Sequence, residues 1–325
     1  MKVVLFQDSG ASMRPLTDVE STYDLYFGEL KVVQAISMKL GGVRVSFTVD
    51  DKPIGTIDDD VLLVNSMALG DDGWFGNAVN RILRDEWDGE KGMVEGKRLV
   101  FARVSKADVK AISPFLSGEI DEQKVGAICQ KVMPIRTTHT VYDELMRKNQ
   151  PRVLLNFPWE FLQAGLKDLV SRGVQGPRLA ETVYLEASEV DESSVVLGKT
   201  ALRRATVKGS IITGPAIVED SEIINSYVGP HAVVRGAVVR GFIGDYSRIE
   251  ADVKGGVRVG AGSAVLSPLE KDLPPLSSWG EQEADRDKAL ARAVKTYRET
   301  GGSEEDESRV KLMLEKAALK YGRKA

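Results

Sequence analysis

Between Val195 and Pro268 apolar residues recur in register, and no other feature of the chain limits its fold as strongly. Val196, Ile212, Val228, Ile243 and Val259 form one column, with steps of 15 or 16 residues. Leu202, Val218, Val234, Ile249 and Val265 form a second, each six residues after its partner in the first. Val207, Ile223, Val238 and Val253 form a third. A glycine follows the first column at Gly229, Gly244 and Gly260, and a small residue (Ala216, Ala232, Ser247, Ser263) sits four places after it. An amphipathic helix repeats about every 3.6 residues and a half-buried strand about every second one. A six-residue step nested in a longer period fits neither. It fits short strands joined by sharp turns, three to a coil, stacked as a parallel β-helix in which each inward aliphatic rests on its equivalent one coil away. The small residue suits the crowded inner side of the turn, and the glycines are expected to supply unusual dihedrals.

This pattern resembles the hexapeptide-repeat, left-handed β-helix family. That family's coils hold three hexapeptides, slightly more than the spacing here, so one face is expected to be abbreviated. Outward aliphatics at Val195, Ile211, Ile217, Ile224, Val233 and Val239 would leave an apolar face exposed on a lone prism. Three prisms around a threefold axis would cover it, so a homotrimer is expected.

The 325 residues allow two domains with a substantial core. A net charge of −4 gives no general attraction to nucleic acid or to a membrane surface. The lone Cys129 allows no internal disulfide and fits a reducing compartment. Two histidines and one cysteine offer no zinc set. No apolar run reaches the ~18 residues of a membrane span. The first residues, Met1 to Phe6, read as a strand and not as a signal peptide, so a cytoplasmic protein is expected.

Ahead of the coils, Val3–Phe6, Val43–Val49, Val61–Asn65 and Arg98–Val104 read as strands. Leu30–Leu40, Asn77–Trp87 and Lys106–Ile112 read as helices. Alternation of this kind predicts an α/β layer with a mainly parallel sheet. A ligand is then sought in the loop after Phe6, at the carboxyl end of the first strand. Beyond the coils, Ala289, Leu290, Ala293, Val294 and Tyr297 mark one helical stripe. Ser303 to Asp306 reads as a capping box before a second stripe of Val310, Leu314, Ala317, Ala318 and Tyr321. These helices are expected to cap the β-helix or to pack between subunits.

The loop after Phe6 resembles that of the sugar-1-phosphate nucleotidyltransferases, which reads G-x-G-T-R-x-x-P-L-T with P-K shortly after. This chain keeps Gly10 and Pro15-Leu16-Thr17. Asp8, Ala11 and Ser12 replace the first glycine, the threonine and the arginine, and the Pro-Lys pair falls on Ser21-Thr22. The resemblance implies nucleotide binding by Asp8 and Gly10, with Arg14, two places on, standing in for the arginine. It also implies Mg²⁺, held in the family by an aspartate whose place Met67 takes here. Asp58, Asp59, Asp60, Asp71 and Asp72 lie nearby, as solvated loop carboxylates or as a shifted ligand. The match is closer to a divergent branch, on Phe6-Gln7-Asp8, Pro15-Leu16-Thr17, Asp24, Phe27-Gly28 and Phe157-Pro158-Trp159-Glu160. Glu160 is there a candidate metal ligand, or alternatively part of a helix start after Pro158. His139 reads as a loop residue.

A sheet domain followed by such a β-helix resembles the bifunctional N-acetylglucosamine-1-phosphate uridyltransferase/glucosamine-1-phosphate acetyltransferase enzymes, trimers whose β-helix transfers acetyl groups. By that resemblance Arg235, in Val228-Gly-Pro-His-Ala-Val-Val-Arg235, and Lys254 one coil on would stack and bind a sugar phosphate. The family's general-base histidine has no counterpart; His231 is the default base if an acyl-CoA is the donor.

The expected architecture is therefore an α/β nucleotidyltransferase-like, Rossmann-like domain (1–175), a left-handed parallel β-helix (176–280) and C-terminal helices (281–325). The expected function is that of a transferase of sugar-nucleotide metabolism, binding a sugar phosphate or nucleoside triphosphate. The alternatives are a catalytically degenerate sugar-nucleotide-binding or scaffolding relative, and an acyltransferase acting through the β-helix alone.

Overall fold

The computed structural model describes residues 1–8, 13–19, 21–42, 44–47, 59–70, 73–84, 92–95, 98–108, 119–120, 136–137, 153–281 and 285–322. Gly10, Asp58, Asp71, Asp72, Cys129 and His139 lie outside the described residues. The chain forms two compact units. One holds residues 1–12, 21–25 and 30–164; the other holds 13–20, 26–29 and 165–325. The segment carrying Pro15-Leu16-Thr17 and the one carrying Phe27-Gly28 thus belong with the coils.

The first unit is a sheet with strands β1 (Lys2–Asp8), β2 (Val45–Phe47), β3 (Val61–Asn65), β4 (Gly92–Glu95), β5 (Arg98–Val104), β6 (Glu119–Ile120) and β7 (Arg136–Thr137). Their order is β2-β1-β3-β5-β4-β7, and β6 pairs with the end of β1. β1, β2 and β3 are parallel, as alternating strands and helices predict. β5 runs antiparallel to both β3 and β4, so the sheet is mixed and not mainly parallel. Val3, Val4, Leu5 and Phe6 are buried, as are Val61 to Val64 and Leu99 to Ala102, the continuous apolar runs of strands covered on both faces. Helices α1 (Val32–Lys39) and α2 (Gly73–Leu83) fall within or close to two of the predicted helices. Lys106 to Asp108 form a single tight turn; the rest of that predicted helix lies outside the described residues. α3 (Pro158–Ser171) carries the chain from the first unit into the second.

The second unit is a parallel β-solenoid of about six turns between residues 178 and 279. Its three faces are stacks of six, seven and four short strands, and the four-stranded stack is the abbreviated face. Two columns hold residue for residue: Val196, Ile212, Val228, Ile243 and Val259 pair in sequence, as do Leu202, Val218, Val234, Ile249 and Val265. In the third, Ile223 pairs with Val239, which pairs with Val253. Val239 is thus inward and Val238 is not. An even step selects Val238; the chain instead takes 16 residues and then 14, shortening a corner. All of these inward residues lie in one buried cluster, each contributing about 1.5–3 kcal/mol by burial.

Corners are held by serines. Ser210 N donates to Ser194 Oγ at 3.2 Å, and Ser226 N donates to Ser210 Oγ at 3.0 Å, so each hydroxyl satisfies an amide one coil on. Ala216, Ala232, Ser247 and Ser263 are buried at the inner turns as expected. Gly229, Gly244 and Gly260 have ordinary φ, against expectation. What they need is room: a Cβ on Gly260 would lie 2.3 Å from Pro275 N and 2.6 Å from Pro274 C. Left-handed corners are taken instead by His231, Tyr246, Gly262 and Leu276, with φ of 57°, 60°, 69° and 51°.

The tail forms α4 (Arg286–Glu299), capped by the Asp285 carboxylate, and α5 (Glu307–Gly322). Ser303 Oγ accepts from Asp306 N at 3.3 Å, the expected cap. Both helices lie against the left-handed corner. Ala289, Ala293, Tyr297, Val310 and Leu314 share a buried cluster with Tyr246, Ala261 and Leu276.

Of the outward aliphatics, Val195, Ile211 and Val233 are already buried within the single chain, and Val239 faces inward. Only Ile217 and Ile224 remain half-buried. The apolar row on which a trimer was expected is therefore largely covered without partners. Light scattering on the full-length protein tests the expected trimer: three times the chain mass would place the subunit contact on another surface, and a single chain mass would remove the trimer.

Candidate functional site

In the first unit, the end of β3 brings together Thr22 and Met67, the residues set by the sequence resemblance against that family's lysine and metal carboxylate. Thr22 Oγ1 and Ser66 Oγ form a buried hydrogen bond of 2.7 Å, and Met67 follows directly. Asn65 donates to Leu99 O at 2.9 Å and accepts from Met67 N at 2.8 Å. Thr22, Asn65, Ser66 and Met67 are all at most 2 % exposed. The cluster is neutral, with its polar side chains hydrogen-bonded. A thioether and a committed amide are poor partners for Mg²⁺, a hard cation that takes carboxylate and water oxygens. Glu160, the other candidate ligand, lies in the first turn of α3, and its Oε2 accepts from Asn156 N at 2.7 Å, the reach-back of a helix start. Among the described residues no group of three or more His, Cys, Asp or Glu could hold a metal ion. The described residues here do not fit Mg²⁺.

Asp8 ends β1, where its backbone pairs with Ile120. Arg14 lies in the second unit, its guanidinium 5.1 Å from the ring centre of Tyr321 in α5. Met13, Leu16 and Asp18 of the same segment are buried, and Asp18 Oδ2 accepts from Ala261 N at 3.1 Å. Asp18 Oδ1 has no hydrogen-bond partner; Arg14 Nε approaches only to 3.8 Å. Burial pushes this carboxyl up to about 6, against the pull of the Ala261 amide, Arg14, Arg258 and Lys320. Gly28 packs on α3 so closely that a Cβ on Gly165 would lie 2.7 Å from Gly28 N. Glu29 pairs with Arg172 at 3.0 Å and Arg178 at 3.1 Å. Both motif segments thus have a structural task at the coils.

His231 sits between Tyr246 (stacked, 5.3 Å) and Tyr297 (edge-on, 4.7 Å), and its Nδ1 lies 2.8 Å from Thr300 Oγ1. The Thr300 hydroxyl is directed at the carbonyls of Tyr297 (2.9 Å) and Thr296 (3.1 Å). Its oxygen then accepts from His231, which puts the imidazole proton on Nδ1. Burial lowers the pKa to about 4, so the ring is neutral near pH 7 and a weak base.

Arg235 and Lys254 do not stack. Arg235 follows Val234 in the second column, whereas Lys254 follows Val253 in the third and pairs with Glu270 at 3.6 Å near the surface. Arg235 is one rung of a ladder that the sequence reading missed. Glu186, Arg203, Glu219 and Arg235 stand in register on successive coils and pair in turn. Glu299 of α4 then takes both Arg235 and Arg248, at 2.5 and 2.8 Å. The hydrogen bond from Arg235, reinforced by Arg203, holds Glu219 below the usual carboxylate range. At Glu299 burial pulls upward, but the two arginines win and its pKa is lowered. The signal was present: charge of alternating sign directly after Leu202, Val218, Val234 and Ile249.

Parallel coils with a docked helical tail define a β-solenoid protein. No protein-family profile matches the chain, and no curated protein matches it. No helix among the described residues is long and apolar enough to cross a membrane.

Proposed function

We propose that this protein is a catalytically degenerate relative of the sugar-1-phosphate nucleotidyltransferases, with a Rossmann-like first domain and a left-handed β-helix. In this reading it works in the cytoplasm and binds a sugar phosphate or nucleotide without transferring it. One observation carries the reading: the buried, uncharged cluster of Thr22, Ser66 and Met67. Positions matched to the family's lysine and metal carboxylate meet there, which supports the kinship, and neither carries charge. Nucleotidyl transfer depends on such charge to stabilise the phosphoryl transition state. Acyl transfer is the weaker reading, because His231 is buried among tyrosines with a pKa of about 4.

Purified protein incubated with each nucleoside triphosphate, a panel of sugar 1-phosphates and Mg²⁺ is expected to release no pyrophosphate above a protein-free control. Sustained Mg²⁺-dependent release overturns the degenerate assignment. In thermal shift, a sugar nucleotide or sugar phosphate is expected to raise the melting temperature by mass action. A flat response across the panel overturns the binding assignment.

A further inference from the structure

α4 runs beside the coil that carries Arg248, and between them lies a cleft of about 340 Å³ lined by Arg248, Ala291, Arg292 and Lys295. Residues 291, 292 and 295 share one side of the helix, since positions four apart are neighbours on its surface. Beside Ala291, the lining side chains are cationic, and Glu250, Glu281 and Glu299 pair with the two arginines. Arginine and lysine side chains donate hydrogen bonds and accept none. Both guanidiniums are held in place. Arg248 donates Nε to Glu250 at 2.6 Å and Nη1 to Glu299 at 2.8 Å, leaving Nη2. Arg292 donates Nη1 to Ser278 Oγ at 2.9 Å and Nη2 to Glu281, leaving Nε. Lys295 is exposed and has no ion pair among the described residues.

We propose that this cleft is a binding site for a phosphoryl-bearing small molecule, with Arg248 and Arg292 as fixed donors and Lys295 as the mobile counter-charge. A phosphoryl group offers several acceptor oxygens, which suits the three cationic side chains of the lining, and guanidiniums fixed by carboxylates lose little freedom on binding it. The volume is at the low end for small-molecule clefts, so the ligand lies between pyrophosphate and a nucleoside diphosphate in size. The site uses only the coils and the tail, and it stands independently of the role proposed for the first domain.

Calorimetric titration of the full-length protein with inorganic pyrophosphate tests it. Wild type is expected to bind. Lys295→Ala should weaken binding about tenfold, the scale of one charge-assisted hydrogen bond, Lys295→Glu should abolish it, and Lys295→Arg should restore it. Lys208→Ala, an exposed lysine on another face, should change nothing. No heat with wild type, equal loss in Lys208→Ala, or equal binding of succinate overturns the site. The two proposals separate cleanly. Sugar-nucleotide binding with no pyrophosphate heat sinks the cleft and spares the proposed function. Pyrophosphate binding without any sugar-nucleotide or sugar-phosphate response does the reverse.

Discussion

Asp18→Asn is expected to stabilise the protein at pH 7.5, by on the order of 3 kcal/mol, and to lose that advantage near pH 4. The side chain is buried, one carboxylate oxygen lacks a hydrogen-bond partner, and its pKa is raised to about 6. A raised folded-state pKa means that the favourable contribution is complete below the unfolded value near 4 and is lost as pH rises through 6. Above that, the chain holds a desolvated charge that Arg14 on its own segment, Arg258 on the coils and Lys320 on α5 offset only in part. Asparagine keeps an acceptor for Ala261 N and drops the charge. His231 works in the opposite direction: its lowered pKa gives stability that is complete above about 6.5 and lost as pH falls through about 4. Its contribution is smaller, about 2 kcal/mol once its partial exposure is discounted. In wild type the two slopes oppose each other between pH 4 and 6. Chemical denaturation across that window should therefore be nearly flat for wild type, rise with pH for Asp18→Asn, and fall with pH for His231→Asn. Asparagine also tolerates the left-handed backbone at position 231. An Asp18→Asn protein less stable than wild type at pH 7.5 would mean that the ionised carboxylate is well paired with Arg14, contrary to the 3.8 Å separation.

Gly260→Ala should cost about 3 kcal/mol or more, the upper range for overpacking, because the added methyl meets backbone that cannot swing aside. Its nearest atoms, Pro275 N and Pro274 C, belong to the next coil. Gly255→Ala is the matched control: the nearest atom to its methyl is Arg240 O at 3.9 Å, so the change should be close to neutral. Guanidinium denaturation of the two variants beside wild type gives the difference. A loss below about 1 kcal/mol at position 260 would mean that the coils separate there more easily than close packing allows.

The solenoid was legible because each of its rules is local and repeated. An inward aliphatic rests on the residue one coil away, so two columns could be read straight from spacing. The third slipped by one residue because the step from Val239 to Val253 is shorter than that from Ile223 to Val239. The glycines after the first column were found for a reason that does not hold: they permit close approach and not an unusual φ. The tail's apolar stripe and its capping box were also readable, since both depend on neighbours within a turn or two. Asp18 was not. Its character comes from Ala261, 243 residues away, and from the docking of Pro15-Leu16-Thr17 on the coils, which no local pattern encodes. The Thr22–Ser66 bond joins two segments the sequence aligned separately. The sequence resemblance singled out Thr22 and Met67 but not Ser66, and only the fold brought Thr22 and Ser66 into contact.

The tail also sets a limit on how the chain can change in length. α4 has 14 residues and is about 21 Å long, while coils stack about 4.8 Å apart. It reaches Arg235 and Arg248 on adjacent coils and Ser278 two coils further on. Removing or inserting one coil inside that interval would shift every later anchor by a full step, and all of them would miss at once. Before Val228 no tail contact fixes the count in this way among the described residues, but the alternating ladder of Glu186, Arg203, Glu219 and Arg235 keeps its pairing only if coils are gained or lost two at a time. Insertions and deletions that spare the fold should therefore gather toward the first coils and come in pairs of coils.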